Sequence, residues 1–481
     1  MNWLRNIALA GVAFGGSWGG AIWFWRETNR MPATSELALY LLVLPLLLLS
    51  TWWLGRKAWA RASAAAATAG TVGAAPAAEA TPAAPPLAPA LQIAASAVRV
   101  PHGASMPELR AALAANRARP ALDQELYDDD GYPILSARLA DAGEAALRED
   151  LEHWRTTQAL NDPRFDLAQW RALAAATSVL AELAALAASH EQLAPWLQQE
   201  QARQHNRLPP DAAPLPPPPV MQLLPVWPPE WQAPQRSLAE QWLRAIAIEA
   251  GWPSQRLASA APPAAHTADA AQVLAGLLTR CGDPRQPCLA IVIAAGSHLS
   301  DAGIGRLAND NALFTANSPQ GRIPGEGAAG LLLADPAQAA LLAGSERGSL
   351  LQALHSGQRG SGADTVKRDT DPCLSSAASA VLQAAQVDGD ALAAVTADTG
   401  HRTSRVTELM QVVTSVAPQL DPGADVASIG ASCGSCGDVT WLTALAVADA
   451  EAQDRGGPVL CISNEDPYRR CAALLRPALP A

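Results

Sequence analysis

Ala290-Ile-Val-Ile-Ala-Ala-Gly-Ser297 is followed, after a loop, by Gly321-Arg-Ile-Pro-Gly-Glu-Gly-Ala-Ala-Gly-Leu-Leu-Leu333. The first stretch is a short apolar run ending in small residues, which predicts a buried strand delivering the backbone to a tight bend. The second is a glycine-rich turn feeding another apolar run. Glycines there allow positive φ and let two backbones approach closely.

Outward from these runs, strand and helix alternate. Leu91 to Gly103 reads as a strand and turn. Met106 to Asn116 reads as a helix capped by Ser105, with Pro107 in its first turn. Helices are expected at Ser237 to Gly251 and Thr267 to Thr279. A second series begins with a strand at Ala391 to Ala397 and a helix at Thr403 to Val416. Val426 to Ile429 then enters Gly430-Ala-Ser-Cys-Gly-Ser-Cys-Gly437 and a helix from Val439 to Ala450, with strands at Val459 to Ser463 and Cys471 to Leu475. Such alternation predicts an α/β fold with helices layered around sheets.

The 481 residues are 49% hydrophobic and only 16% charged, with a formal net charge of −11 and no long Lys/Arg run. A nucleic-acid role is disfavoured. The 7 cysteines, an odd number at irregular spacing, do not form a secreted disulfide framework and fit reduced thiols in a cytosolic domain.

Residues 1–61 carry two uncharged apolar stretches, Ile7 to Trp25 and Leu37 to Leu54. Each approaches the ~20 residues a helix needs to cross a bilayer, and tryptophans stand near their ends. Arg5 precedes the first; Arg56, Lys57 and Arg61 follow the second. The positive-inside bias therefore predicts a transmembrane hairpin with both termini, and the large domain, in the cytoplasm. Gly11, Gly15 and Gly19 form one smooth helical stripe, suited to close helix packing in the membrane. Residues 62–90, rich in Ala and Pro, read as a tether with a reach on the order of 30 Å. Residues 144–236, helical and then Pro-rich, read as an insertion within the domain at 91–477.

The two opening stretches resemble the centre of the thiolase and β-ketoacyl synthase superfamily. That resemblance implies a layered α/β/α/β/α fold of two related halves. It also implies dimerisation, with a like or a different thiolase-like partner, by edge-to-edge pairing of Leu289 to Ala295. The superfamily's chemistry needs a nucleophilic Cys and two His (or His and Asn). The stretch matching the nucleophile elbow, Leu257 to His266, has no Cys; Ser259 and His266 are its only nucleophilic or basic candidates. The turn matching the first His is Ala397-Asp-Thr-Gly400, so Asp398 stands at the imidazole position, with His401 close by and Glu408 matching a later acidic residue. The second His is matched by Ala431, after Gly430.

Gly296, Gly325, Gly327, Gly430, Gly434 and Gly437 are expected to be structural, the last two serving close helix–strand packing. Cys433 and Cys436 have redox-motif spacing at an expected helix start, where a thiolate is favoured, but without a second pair they make no zinc site. No metal or cofactor is expected.

More narrowly, Ala397-Asp-Thr-Gly-His-Arg-Thr-Ser-Arg-Val-Thr-Glu-Leu409, with the Gly/Ala/Ser/Cys turn and Ile462-Ser-Asn-Glu-Asp466, resembles degenerate ketoacyl-synthase-like proteins associated with bacterial type VI secretion. The resemblance implies an inner-membrane adaptor or scaffold whose protein partner is a secretion effector or spike protein. Two alternatives remain open at the level of sequence. One is an active acyltransferase or condensing enzyme using His401 with Cys433; the other is a thiol sensor using Cys433 and Cys436.

Overall fold

The computed structural model describes residues 90–478, apart from 208–212, 260–268, 282, 284, 345–347 and 365–370. The hairpin expected at 1–61, with Gly11, Gly15 and Gly19, and nearly all of the tether lie outside the described residues.

The chain opens with β1 (Leu91–Arg99), turns back, and forms α1 (Met106–Ala114), whose start is set by the Ser105 cap and by Pro in its first turn. A small hairpin, β2 (Ala121–Tyr127) and β3 (Pro133–Ser136), stands apart from the main sheet. Then come α2 (Glu144–Thr157), α3 (Leu167–Ala187), α4 (Leu193–Gln204), β4 (Met221–Val226), α5 (Ala233–Glu249), β5 (Leu257–Ser259), α6 (Ala270–Arg280), β6 (Leu289–Ser297), α7 (Asp301–Asn309) and β7 (Glu326–Ala334). After the short α8 (Pro336–Ala339) the second series runs β8 (Ser349–Gln358), α9 (Cys373–Ala384), β9 (Ala394–Ala397), α10 (Thr403–Val416), β10 (Val426–Ser428), α11 (Ile429–Cys433), α12 (Asp438–Arg455), β11 (Val459–Ser463) and β12 (Arg469–Pro477).

The main sheet has the order β10-β9-β11-β12-β8-β1-β7-β6-β4-β5. Counted within each series, both halves follow the same order, third-second-fourth-fifth-first. In each the fifth strand, β7 or β12, is antiparallel to both neighbours, and the other pairs within a half are parallel. The halves meet where β1 pairs with β8 at Leu91–Leu351, Gln92–Leu350 and Ile93–Ser349. The repeat is thus one of topology, with matching helices between matching strands.

Strand alternation separates the core around the main sheet into three clusters. Ile291, Ile293 and Leu332 face α3 and α5, while Val292, Leu331 and Leu333 face the opposite way, toward α12, as a period of two requires. Leu442 and Leu445 of α12 share that second cluster with Cys461 and Leu475 of the other half. Val395, Leu460 and Leu474 turn outward to α9 and α10. The layers are therefore α3/α5, the first half-sheet, α6/α12, the second half-sheet, and α9/α10. α12 is apolar around most of its circumference because it is covered from both sides.

Two expectations are corrected. β6 cannot pair with a second subunit, since β4 and β7 already occupy its two edges; the strands left at the sheet margins are β5 and β10. Residues 144–236 are not a detachable insertion. α3 covers the first half-sheet as α9 covers the second, and β4 is a central strand. Pro225 is tolerated inside β4 because pairing with β5 ends at Leu223, so its missing N–H breaks no ladder on that side. Among the described residues, α3 alone is long and apolar enough to cross a membrane, but most of it is buried in the protein.

Candidate functional site

A cavity of about 490 Å³ opens beyond the carboxyl ends of β4, β6, β9 and β11, with Val226, Ala295, Asp398 and Ser463 on its wall. Crevices at the carboxyl ends of parallel strands are where α/β folds hold ligands. Its floor depends on close backbone contacts. A Cβ on Gly325 would lie 2.5 Å from the Cys433 carbonyl, and Gly327 has φ +146° while packed against the carbonyl of Arg99. A Cβ on Gly430 would meet the Asp398 carbonyl at 2.2 Å, and one on Gly296 would sit 3.2 Å from the Cys436 sulfur. Gly437 departs from expectation: nothing lies within 4 Å, and its role is the positive φ of +55° at the entry to α12. The Glu of the glycine-rich turn, Glu326, is buried. It accepts from Arg171 Nε at 3.0 Å, Ser297 Oγ at 3.0 Å and Leu139 N at 2.9 Å, locking β7 to α3.

Asp398 follows β9 and is buried. Its carboxylate accepts from Ser463 Oγ, from Asn464 N at 2.8 Å and from Glu465 N at 3.2 Å. Burial pushes its pKa up to about 6 while these hydrogen bonds pull it back. The turn is further tied by Gly400 N to Glu465 Oε2 (3.0 Å), Thr399 Oγ1 to Asn464 Oδ1 (2.7 Å) and Arg402 Nη2 to Glu465 Oε1 (3.0 Å). Arg402 and Arg405 share Asp364, each at 2.8 Å. Glu408 accepts from Arg470 at 2.7 Å and Arg359 at 3.1 Å, all three buried. An imidazole at this turn would donate to a developing oxyanion. The Asp398 carboxylate is instead an acceptor committed to backbone and hydroxyl donors.

The remaining expected residues do not converge. His401 is absent from the cavity wall; it packs edge-on against Phe314 at 4.9 Å, and burial lowers its pKa. Ala431 contributes only backbone, its N–H donating to the Thr399 carbonyl at 3.0 Å. Glu408 serves the arginines rather than the cavity. Ser259 ends β5, and the rest of the elbow, His266 included, lies outside the described residues. The imidazole that does line the cavity is His298, missed in the sequence although it directly follows Gly296-Ser297. Its Nδ1 donates to the Ser435 carbonyl at 3.0 Å, and burial lowers its pKa.

Cys433 is buried beneath the Pro101 carbonyl, 3.5 Å from its sulfur, and burial pushes its thiol up to about 12; burial raises Cys436 as well. Cys433 closes α11, and both cysteines precede the first turn of α12, so the expected thiolate at a helix start is not formed. In the native full-length chain both are expected to resist DTNB while the half-buried Cys373 reacts faster. Tryptic mapping of labelled cysteines checks this. Guanidinium should accelerate labelling of Cys433 and Cys436 at least ~10-fold.

No protein-family model matches the sequence, and no curated protein matches it. Solved structures do. A Streptomyces albus oxazolomycin ketosynthase domain aligns with TM-score 0.52 at 13% identity, covering 82% of this chain and 74% of that one. The module 6 ketosynthase of the Bacillus subtilis bacillaene synthase aligns with TM-score 0.51 at 10% identity, covering 81% and 72%. A type II polyketide ketosynthase, solved with its acyl-carrier protein and bound to the hexaketide, aligns with TM-score 0.51 at 11% identity, covering 81% and 99%. At these identities the likeness is one of fold, and it agrees with the duplicated strand order and the layering: the described part of the chain has the ketosynthase-like, thiolase-type α/β fold.

Proposed function

We propose that this chain is a catalytically silent ketosynthase-fold protein that works by binding another protein, as an adaptor or scaffold. The observation that carries this is Asp398. At the turn where the resemblance calls for an oxyanion-donating imidazole stands a buried carboxylate consumed by Ser463, Asn464 and Glu465, braced by Arg402. Ala431 at the second imidazole position and the protonated, buried Cys433 support the same reading, since nucleophile, base and oxyanion donors act only together. Tethering at a bacterial inner membrane and a client from the type VI secretion machinery, effector or spike protein, belong to this proposal on the strength of the sequence patterns.

The test has two arms. Purified full-length chain is incubated with malonyl and acyl thioesters of an acyl carrier protein. The expected result is no condensation and no acylated residue by intact mass; turnover or acylation would sink the non-catalytic reading. In parallel, gentle-detergent purification from the native bacterium is followed by mass spectrometry of co-purifying proteins. Secretion components support the adaptor role, and lipid-synthesis enzymes argue for a condensing enzyme.

A further inference from the structure

The end of β6 remote from the cavity carries a pair of thiols that no part of the site uses. Cys281 directly follows α6, and its N–H donates to the Leu277 carbonyl at 2.9 Å, closing the last turn of that helix. Cys288 directly precedes β6. Its N–H donates to Asp335 Oδ2 at 2.7 Å, and its carbonyl accepts from Asp335 N at 3.0 Å. The backbone on both sides of the α6–β6 connection is therefore fixed. Within it Asp283 N donates to the Arg280 carbonyl at 3.1 Å and Gln286 N to the Asp283 carbonyl at 3.0 Å, which turns the chain back on itself.

This return brings the two side chains together. Cys288 is a buried member of the cluster between the half-sheets, and the half-buried Cys281 packs against the same cluster. The thiols are hydrogen-bonded to each other: Cys281 donates to Cys288, which holds the Cys288 pKa down and pushes that of Cys281 up. None of the other five cysteines is hydrogen-bonded to a second thiol among the described residues. Cys433 is spent on the Pro101 carbonyl, and Cys436, Cys461 and Cys471 are buried. A disulfide needs two sulfurs that face each other closely, and a redox-active one needs access for the oxidant. The half-buried Cys281 supplies the access.

We infer that Cys281 and Cys288 are a redox modification site, bridged reversibly by a hydroperoxide into a disulfide that clamps the end of α6 to the start of β6. One sulfur takes the terminal oxygen of the peroxide as a sulfenic acid, and the rest of the peroxide leaves as an alcohol or water. The second sulfur then displaces that oxygen as water. The two thiols lose two electrons and two protons, and the peroxide bond is reduced. Exchange with a small dithiol returns both thiols. The inference concerns no residue of the cavity and stands apart from the adaptor reading.

The test uses the native full-length chain, so no variant has to fold. The chain is exposed to hydrogen peroxide, quenched, blocked with N-ethylmaleimide and digested with trypsin. Arg285 lies between the two cysteines, so cleavage separates peptide 281–285 from peptide 286–306 unless a disulfide joins them. The expected result is the joined pair, abolished by dithiothreitol and formed at least ~10-fold faster than Cys373 is oxidised, because the second sulfur is already in place. In guanidinium that preference over Cys373 should fall at least ~10-fold as the fixed contact is lost. Recovery of both peptides unlinked while Cys373 is oxidised, a bridge from either thiol to another cysteine, or a sulfinic acid on either would overturn the inference. So would a preference unchanged by unfolding, since closeness in sequence would then account for it.

Discussion

Glu408→Ala is expected to cost the fold about 3–5 kcal/mol. Glu408 receives Arg470 Nε at 2.7 Å and Arg359 Nη1 at 3.1 Å, and it accepts from Asn464 Nδ2 at 3.3 Å. The two guanidinium side chains are 0% and 1% exposed. Removing the carboxylate leaves two cations in a low-dielectric interior with one countercharge gone, which costs more than the pair ever contributed. Asn464 also loses an acceptor, and its backbone N–H is one of the groups holding Asp398, so the damage reaches the cavity. Guanidinium melts of Glu408→Ala and Glu408→Gln measure it. Gln keeps an acceptor and the shape, so it should lose less than Ala. Equal, small losses in both variants would show that the arginines find other partners.

The second expected effect is a pH-dependent gain from Asp449→Asn. Asp449, in α12, accepts from Gln453 Nε2 at 2.8 Å, from Ser96 Oγ of β1 at 3.2 Å and from Ser349 of β8, and so ties together the first strands of both halves. Burial pushes its pKa from 3.8 up to about 6. The raised value means that the folded state resists ionisation. Above pH 6 the charged carboxylate therefore destabilises the fold, by on the order of 3 kcal/mol in full. As pH falls through 6 the folded protein takes up the proton before the unfolded chain does, and the penalty is withdrawn; about half is gone by pH 5. Asn carries no charge and preserves the hydrogen-bonding shape. The variant should melt higher than the native chain at pH 8, and its advantage should shrink steadily toward pH 5. The histidines whose pKa is lowered by burial, such as His298 and His401, titrate alike in both proteins and cancel in the difference. An advantage that is flat with pH, or absent at pH 8, would refute the assignment.

Much of the scaffold was legible in the sequence because local signals and tertiary demand coincide there. β6 and β7 are runs of consecutive apolar residues with a glycine-rich turn before the second, and α10 begins and ends where its pattern does, at Thr403 and Val416. β4 was hidden because Pro225 argues against a central strand unless the end of the neighbouring strand is known. α3 was mistaken for part of an insertion because its Ala-rich stretch carries no mark of which sheet it covers. The β2–β3 hairpin, around Asp128-Asp-Asp-Gly131, went unread as strands.

At the site, the absence of imidazoles at Asp398 and Ala431 was visible. What replaces them was not. Asp398 meets Asn464 66 positions later, and Arg171 meets Glu326 155 positions later, separations at which no local spacing operates. His298 was passed over because one histidine after a strand carries no signal until the cavity around it exists.

The joint between the half-sheets also sets a timetable. Of the described strands β1 is the first to leave the ribosome, yet its register partners are Gln92 with Ala334 and Leu91 with Leu351, in strands made about 240 and 260 residues later. Loop closure over such a span is slow. The nascent β1 must wait, its edges unpaired, until more than two-thirds of the chain has been synthesised. At ~5–20 residues per second that wait is on the order of ten seconds or more.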